Sequence, residues 1–230
     1  MQEHLRENLA EVHEKIEKVA QRCGRNADEV ELIAVSKTHS TEVLREAIEA
    51  GATVFGENKV QEAEEKIEEL GKENLEWHLI GHLQSNKARK AVKLFDVIHT
   101  LDSVELAERL ERICIEENRT SLSVLAQVDL AGEKTKNGIG EKELPNLIEF
   151  LKTCKRLKFD GLMIIPPFFE DIEKVRPFFR RLREIRDEFL PNGELSMGMS
   201  HDFEIAIEEG ATLVRVGTAI FGQRNGTPSS

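Results

Sequence analysis

Short apolar runs alternate along this chain with longer stretches in which apolar residues recur every three or four positions. Read as strands, the short runs fall at 31–36, 53–56, 76–80, 96–100, 122–129, 158–165, 194–197 and 212–217. The longer stretches predict helices over 40–50, 59–70, 86–94, 103–118, 141–153, 172–189 and 201–209, after an opening helix over 2–22 closed by Gly24. Gly51, Gly71 and Gly210 stand where helices end, and Ser103 with Glu105 stands where one begins. Strands such as Leu32-Ile33-Ala34-Val35 are apolar on both faces, as in a parallel sheet covered by helices. Repeated strand–helix alternation implies right-handed crossovers in such a sheet. Eight units in this length fit a single closed (β/α)8 barrel with an extra N-terminal helix better than a doubly wound open sheet. Residues 1–224 are expected to form that one domain, and 225–230 a flexible tail.

Composition narrows what such a barrel does. The chain has 230 residues, 40% hydrophobic and 33% charged, with 32 Lys and Arg against 43 Asp and Glu. The net charge of -11 argues against nucleic acid or anionic membrane as a partner, since both select a clustered positive field. Acidic stretches such as Glu62-Ala63-Glu64-Glu65-Lys66 read as solvated helix faces. Cys23, Cys114 and Cys154 have no disulfide or metal-ligand spacing and suit a reducing compartment. No apolar run approaches membrane-spanning length, and the polar start is no signal peptide. A soluble cytoplasmic protein is expected.

In a barrel of this kind the chemistry collects at the carboxyl ends of the strands. The first end carries Lys37, a lysine at the close of a buried strand and a candidate for Schiff-base chemistry. Taken alone, a snorkelling or salt-bridged lysine is the favoured explanation. The later ends change that balance. Ser196-Met197-Gly198-Met199-Ser200 and Arg215-Val216-Gly217-Thr218 close the seventh and eighth strands, the usual place for a phosphate in this architecture. Glycine lets backbone amides approach an anion, and hydroxyls and helix N-termini add donors. Individually, Ser200 reads as an N-cap and Gly217 as a turn residue. Together with an amine at the first strand they suggest pyridoxal 5′-phosphate (PLP), which offers an aldehyde to the lysine and a phosphate to the glycine-rich ends. Arg215, inward-facing if strand alternation holds, would then address the pyridine nitrogen, or else form an ion pair at the mouth. Arginine only donates, so a nitrogen it meets stays unprotonated and the ring becomes a weaker electron sink.

Long motifs then carry a family resemblance. Ala34-Val35-Ser36-Lys37-Thr38, Phe55-Gly56-Glu57-Asn58-Lys59-Val60-Gln61-Glu62 and Trp77 to Lys87 resemble the pyridoxal phosphate homeostasis protein family. So do Gly161-Leu162-Met163, Ser196 to Glu204 and Val214 to Gly222, over about residues 5 to 224. The resemblance implies a barrel similar to the alanine racemase N-terminal domain, with PLP held as a Schiff base on Lys37 and no established catalytic reaction. It implies phosphate held near Ser200, Gly217 and Thr218, Arg215 at the ring nitrogen and Asn58 near the ring. Adding the motif positions His82, Met163 and Ser196 completes the expected cofactor-binding set. Ile164-Ile165-Pro166-Pro167 and His201 depart from the pattern, at positions not expected to touch phosphate.

The implied role is intracellular vitamin B6 homeostasis by a monomer, with apo PLP-dependent enzymes as transient partners. Lys134 and Lys136 share the rim with Lys37 and are candidates to take departing cofactor, or else are solvent-exposed loop lysines. A PLP-dependent racemase is the alternative. Racemases of the resembled fold take a second base from a tyrosine on an added domain, whereas this chain has no tyrosine, and His82 alone does not make two-base chemistry. A metal-dependent hydrolase is disfavoured because no two of the seven histidines lie two apart. An aldolase acting on a phosphorylated sugar shares the lysine and the phosphate site and stays open on the residues alone.

Overall fold

The computed structural model describes residues 2–132 and 137–222; the expected tail, with Lys134 and Lys136, lies outside the described residues. Eight strands among them form the barrel: β1 (Glu31–Val35), β2 (Val54–Glu57), β3 (Glu76–Leu79), β4 (Val97–Leu101), β5 (Leu122–Asp129), β6 (Leu157–Met163), β7 (Glu194–Met199) and β8 (Leu213–Val216). Every neighbouring pair is parallel. Pairing of β8 with β1 through Ile33–Arg215 and Ala34–Val216 closes the ring, so each of the eight barrel strands is paired on both sides. A two-residue strand, Ile139–Gly140, extends β5 at its carboxyl end and was not expected from the sequence.

Helices follow each strand: α2 (Thr41–Glu49), α3 (Val60–Leu70), α4 (Ala88–Leu94), α5 (Val104–Glu116), α6 (Leu144–Thr153), α7 (Arg176–Phe189), α8 (Phe203–Glu208) and α9 (Thr218–Phe221), with α1 (Gln2–Arg22) ahead of them all. The helix expected over 172–189 opens as a 3-10 turn at Ile172–Val175, because Pro177 lacks the amide an earlier α-turn would need. The Ser103 hydroxyl accepts the Leu106 amide at 3.2 Å, capping α5. The eighth helix, α9, is only four residues long. The N-terminal helix fills the gap this leaves, burying Leu5, Leu9, Val12, Ile16 and Val19. Asn8 Nδ2 donates to the Ile220 carbonyl at 2.9 Å and ties α1 to α9.

Two apolar layers result from strand alternation. Phe55, Trp77, Leu79 and Ile98 face outward into the large core beneath the helices, where Phe55 and Trp77 stack at 5.3 Å. Ile33, Val54, Leu125, Met163 and Leu213 face inward and plug the barrel axis. The inner layer matters for function because it is a floor. Polar groups above it and below it are separated by a dry plug, and only side chains that cross the plug connect the two mouths.

Candidate functional site

Inward parity fixes which residues reach the carboxyl-terminal mouth. Ile33 and Leu213 lie in the inner plug, so the alternation carries Val35 and Lys37 inward on one strand and Arg215 and Gly217 on its neighbour. Lys37 sits two residues past the end of β1 and is half-buried. Its follower, Thr38, has φ of 68°, a left-handed conformation that a β-branched residue adopts only when held.

The hold comes from α3. Lys66 lies on the helix face with Val60, Ala63 and Ile67, and is buried. Its Nζ donates to the Ser36 carbonyl at 2.8 Å, to Glu57 Oε1 at 2.6 Å and to Glu62 Oε1 at 3.0 Å. The Ser36 hydroxyl donates to Glu57 Oε1 at 2.6 Å, and the Thr38 amide donates to Glu62 Oε1. Burial pushes the Glu57 carboxyl above its ordinary value, with Lys66 opposing the shift. This clamp corrects the reading of 62–66 as a solvated face: Lys66 and Glu62 turn inward to grip the strand end that presents Lys37. Lysine at position 66 continues the spacing of Val60 and Ala63, which was the available signal.

Arg215 is buried, with Nη1 donating to Ser196 Oγ at 2.5 Å and Nη2 donating to the Ile164 carbonyl at 2.9 Å. Burial lowers its pKa to about 10, which leaves it charged at neutrality, and Asp202 opposes the shift. No carboxylate lies within ion-pair distance of it among the described residues, so its charge has no salt-bridge partner there. The expected alternative role, an ion pair at the mouth, is therefore not formed.

The ends of β7 and β8 meet through Ser200. Its hydroxyl accepts the Gly217 amide at 3.1 Å and the Ala219 amide at 3.3 Å, so it caps α9 across the two loops rather than the helix that follows it in sequence. Two backbone amides at the first turn of α9 thus converge on one oxygen beside exposed Thr218. Gly217 packs against Val35, where an added Cβ would stand 3.3 Å from the Val35 Cβ. The amide cluster and Lys37 therefore sit on adjacent strand ends.

Other expected positions fall nearby or beneath. Asn58 is half-buried one residue past β2, and Gly81 lets the next strand end approach it: a Cβ there would lie 2.2 Å from the Asn58 carbonyl oxygen. Gly81→Ala is expected to cost about 1–3 kcal/mol by forcing the two rims apart, read as a lowered urea midpoint at unchanged slope. His82 is exposed, 3.7 Å from Asp102 Oδ2. Met163 has no exposed surface and belongs to the plug. Ser196 is also fully buried, its hydroxyl engaged by Arg215 and by His99, below the rim where Ser200 stands. His99 and His78, buried in the barrel interior, were not among the expected site residues. No group of three or more His, Cys, Asp or Glu among the described residues is placed to hold a metal. No helix is long and apolar enough to cross a membrane among those residues.

A donor cluster made of amides and a hydroxyl, an amine on the adjacent strand and a carboxylate-free buried guanidinium fit an anionic, carbonyl-bearing heteroaromatic ligand. The family model for the alanine racemase N-terminal domain matches residues 8–225. The chain is 45% identical to the pyridoxal phosphate homeostasis protein of Aquifex aeolicus over 95% of this chain and 97% of the relative. It is 42% identical to that of Escherichia coli K12, over 95% and 96% respectively. The solved structure of PipY from Synechococcus elongatus with PLP bound superposes with a TM-score of 0.76 at 42% identity, covering 90% of this chain and all of that one. Alanine racemase of Corynebacterium glutamicum shares the fold, with a TM-score of 0.65 at 16% identity over 95% of this chain and 62% of that one. The chain belongs to the pyridoxal phosphate homeostasis protein family, built on the alanine racemase N-terminal barrel.

Proposed function

We propose that this protein binds PLP as a Schiff base on Lys37 and serves vitamin B6 homeostasis by holding and releasing the cofactor, without amino-acid turnover as its role. The observation that carries the reading is the adjacency of Lys37 on β1 to the Gly217 and Ala219 amides after β8. When bound, the cofactor supplies an aldehyde for the amine and an electron-withdrawing ring.

The chain's own groups do the rest. Ser200 gives up its two amides to an incoming phosphate and adds its own hydroxyl as donor, so the anion exchanges one oxygen partner for three donors. Helix-terminal amides favour that charge, which offsets the repulsion from a chain of net charge -11. Arg215 would hold the ring nitrogen as a permanent donor, which would keep it unprotonated and the ring a poor sink for carbanion charge. That favours retention over turnover. Asn58 would line the ring's pocket, Met163 belongs to the plug that would form its floor, and His82 would stand at the rim. Protein named for PLP homeostasis at 45% identity and PLP bound in PipY support the same assignment.

A yellow protein whose absorbance bleaches on borohydride, with the mass increment of reduced PLP on the Lys37 peptide, is the expected result. A colourless protein with unmodified Lys37 after incubation with PLP overturns the reading. Turnover across an amino-acid panel at rates typical of enzymes, on the order of 1 per second or more, would establish the racemase instead. Light scattering is expected to give a monomer, and transfer of PLP to an apo-enzyme is expected to proceed in the cytoplasm's reducing, soluble setting. Lys134 and Lys136 remain candidates for the exit path.

A further inference from the structure

Beneath Arg215 a line of hydrogen bonds crosses the barrel interior to the opposite mouth. Arg215 Nη1 donates to Ser196 Oγ at 2.5 Å, and Ser196 Oγ lies 2.8 Å from His99 Nδ1. His99 Nε2 lies 2.9 Å from His78 Nδ1, and His78 Nε2 lies 3.0 Å from Glu76 Oε1. Ser196, His99 and His78 are buried, while Glu76 at the amino-terminal end of β3 is half-buried. The residues come from two pairs of consecutive strands that are far apart in sequence: His99 and Ser196, where the pairs meet, are 97 positions apart.

One polarity satisfies both ends of the line while letting each middle group donate once and accept once. Arginine has donors only. The Glu76 carboxyl is held below its ordinary value, chiefly by its bond with His78, and so only accepts near neutrality. Ser196 receives the Arg215 N–H and, in this polarity, gives its own hydrogen to His99 Nδ1. His99 therefore carries its proton on Nε2 and donates to His78 Nδ1. His78 in turn carries its proton on Nε2 and donates to Glu76. Burial, then the neighbouring His78 and Arg215, hold His99 far below the ordinary histidine range, so the ring stays neutral as this polarity requires. Each of the three middle groups donates once and accepts once along the line.

Resting on the PLP reading above, we propose that His99 is a positioning residue for Arg215: acting through Ser196, and itself fixed in one tautomer by His78 and Glu76, it sets the guanidinium that meets the ring nitrogen of the cofactor. With the Ser196 hydrogen turned away toward His99, the hydroxyl oxygen presents only lone pairs to Arg215. The guanidinium plane is then pinned at two points, Ser196 Oγ and the Ile164 carbonyl. A hydroxyl without His99 rotates, and one of the two pins is lost.

The test has an arm without cofactor and an arm with it. In full-length apo-protein carrying 15N-labelled histidine, long-range nitrogen–proton correlation is expected to show His99 and His78 as neutral Nε2–H tautomers. His99 carrying its proton on Nδ1 overturns the proposal whether or not PLP binds. In PLP-loaded protein, His99→Phe and, as a smaller change that keeps the ring in place, Ser196→Ala are each expected to shift the imine absorbance band and to release PLP about tenfold faster. His99→Gln is expected to restore most of both properties, because its amide accepts from Ser196 and donates toward His78. An unchanged band and release rate in Ser196→Ala, or a His99→Gln no better than His99→Phe, overturns the proposal. If wild-type protein forms no reducible imine, the PLP reading falls, and the tautomer arm still decides the relay.

Discussion

Lys37→Ala is expected to abolish the covalent PLP adduct completely while leaving the barrel folded. Two lysines serve the end of β1, and one of them is committed to structure. Lys66 Nζ is committed to three oxygens of Ser36, Glu57 and Glu62 in a buried clamp, where its charge is needed. Lys37 lies on the inward parity at the mouth. Its removal deletes a rim group and no core volume, so stability should change by less than about 1 kcal/mol. Peptide mass spectrometry after borohydride reduction reads the adduct, and thermal denaturation reads the fold. Adduct persisting at Lys66 in the variant would refute the assignment.

Lys66→Ala is expected to produce the largest loss of stability among single substitutions at the site. Removing one partner of a buried pair leaves Glu57 charged and uncompensated, which costs about 3–5 kcal/mol. For a domain of this size that lowers Tm on the order of 10 °C. The carboxylate is fully buried, and its Oε2 has no hydrogen-bond partner among the described residues. Its pH dependence has a definite sign. Burial already raises the Glu57 pKa in the folded protein, and losing Lys66 raises it further. A raised carboxyl binds its proton more tightly in the folded state than in the unfolded one. Between the ordinary carboxylate pKa and the raised folded value, stability therefore falls as pH rises and recovers as pH drops. The deficit of Lys66→Ala is thus expected to shrink on acidification through that window, whereas an ordinary cavity mutant shows no such recovery. Pairing it with Glu57→Gln is expected to return most of the stability at neutral pH, because no buried charge then remains.

Local rules made much of the site legible. The unbroken apolar run before Lys37 identified a covered strand, and the polar residues after it marked a mouth. Period-two alternation placed Arg215 inward, where the structure has it. Glycine at 217 and serine at 200 were read as anion donors, and both stand at the junction of β7 and β8. Ser200 was expected at the start of its own helix, yet its hydroxyl serves α9, because α8 starts only at Phe203 with Asp202 in the N-cap place. The clamp was misread because a helix rich in Glu and Lys looks solvated by composition. Only the phase of Lys66 relative to Val60 and Ala63 hinted that its amine points inward.

Fold class, the strand-end place of Lys37 and the inward parity of Arg215 follow from the sequence by itself, since each rests on periodicity within one segment or between consecutive ones. The clamp behind Lys37 and the Glu76–His78–His99–Ser196–Arg215 line were decided only by tertiary structure. The reason is physical. A histidine inside an apolar strand has no partner on its own strand, so its meaning depends on which distant strand ring closure sets opposite it.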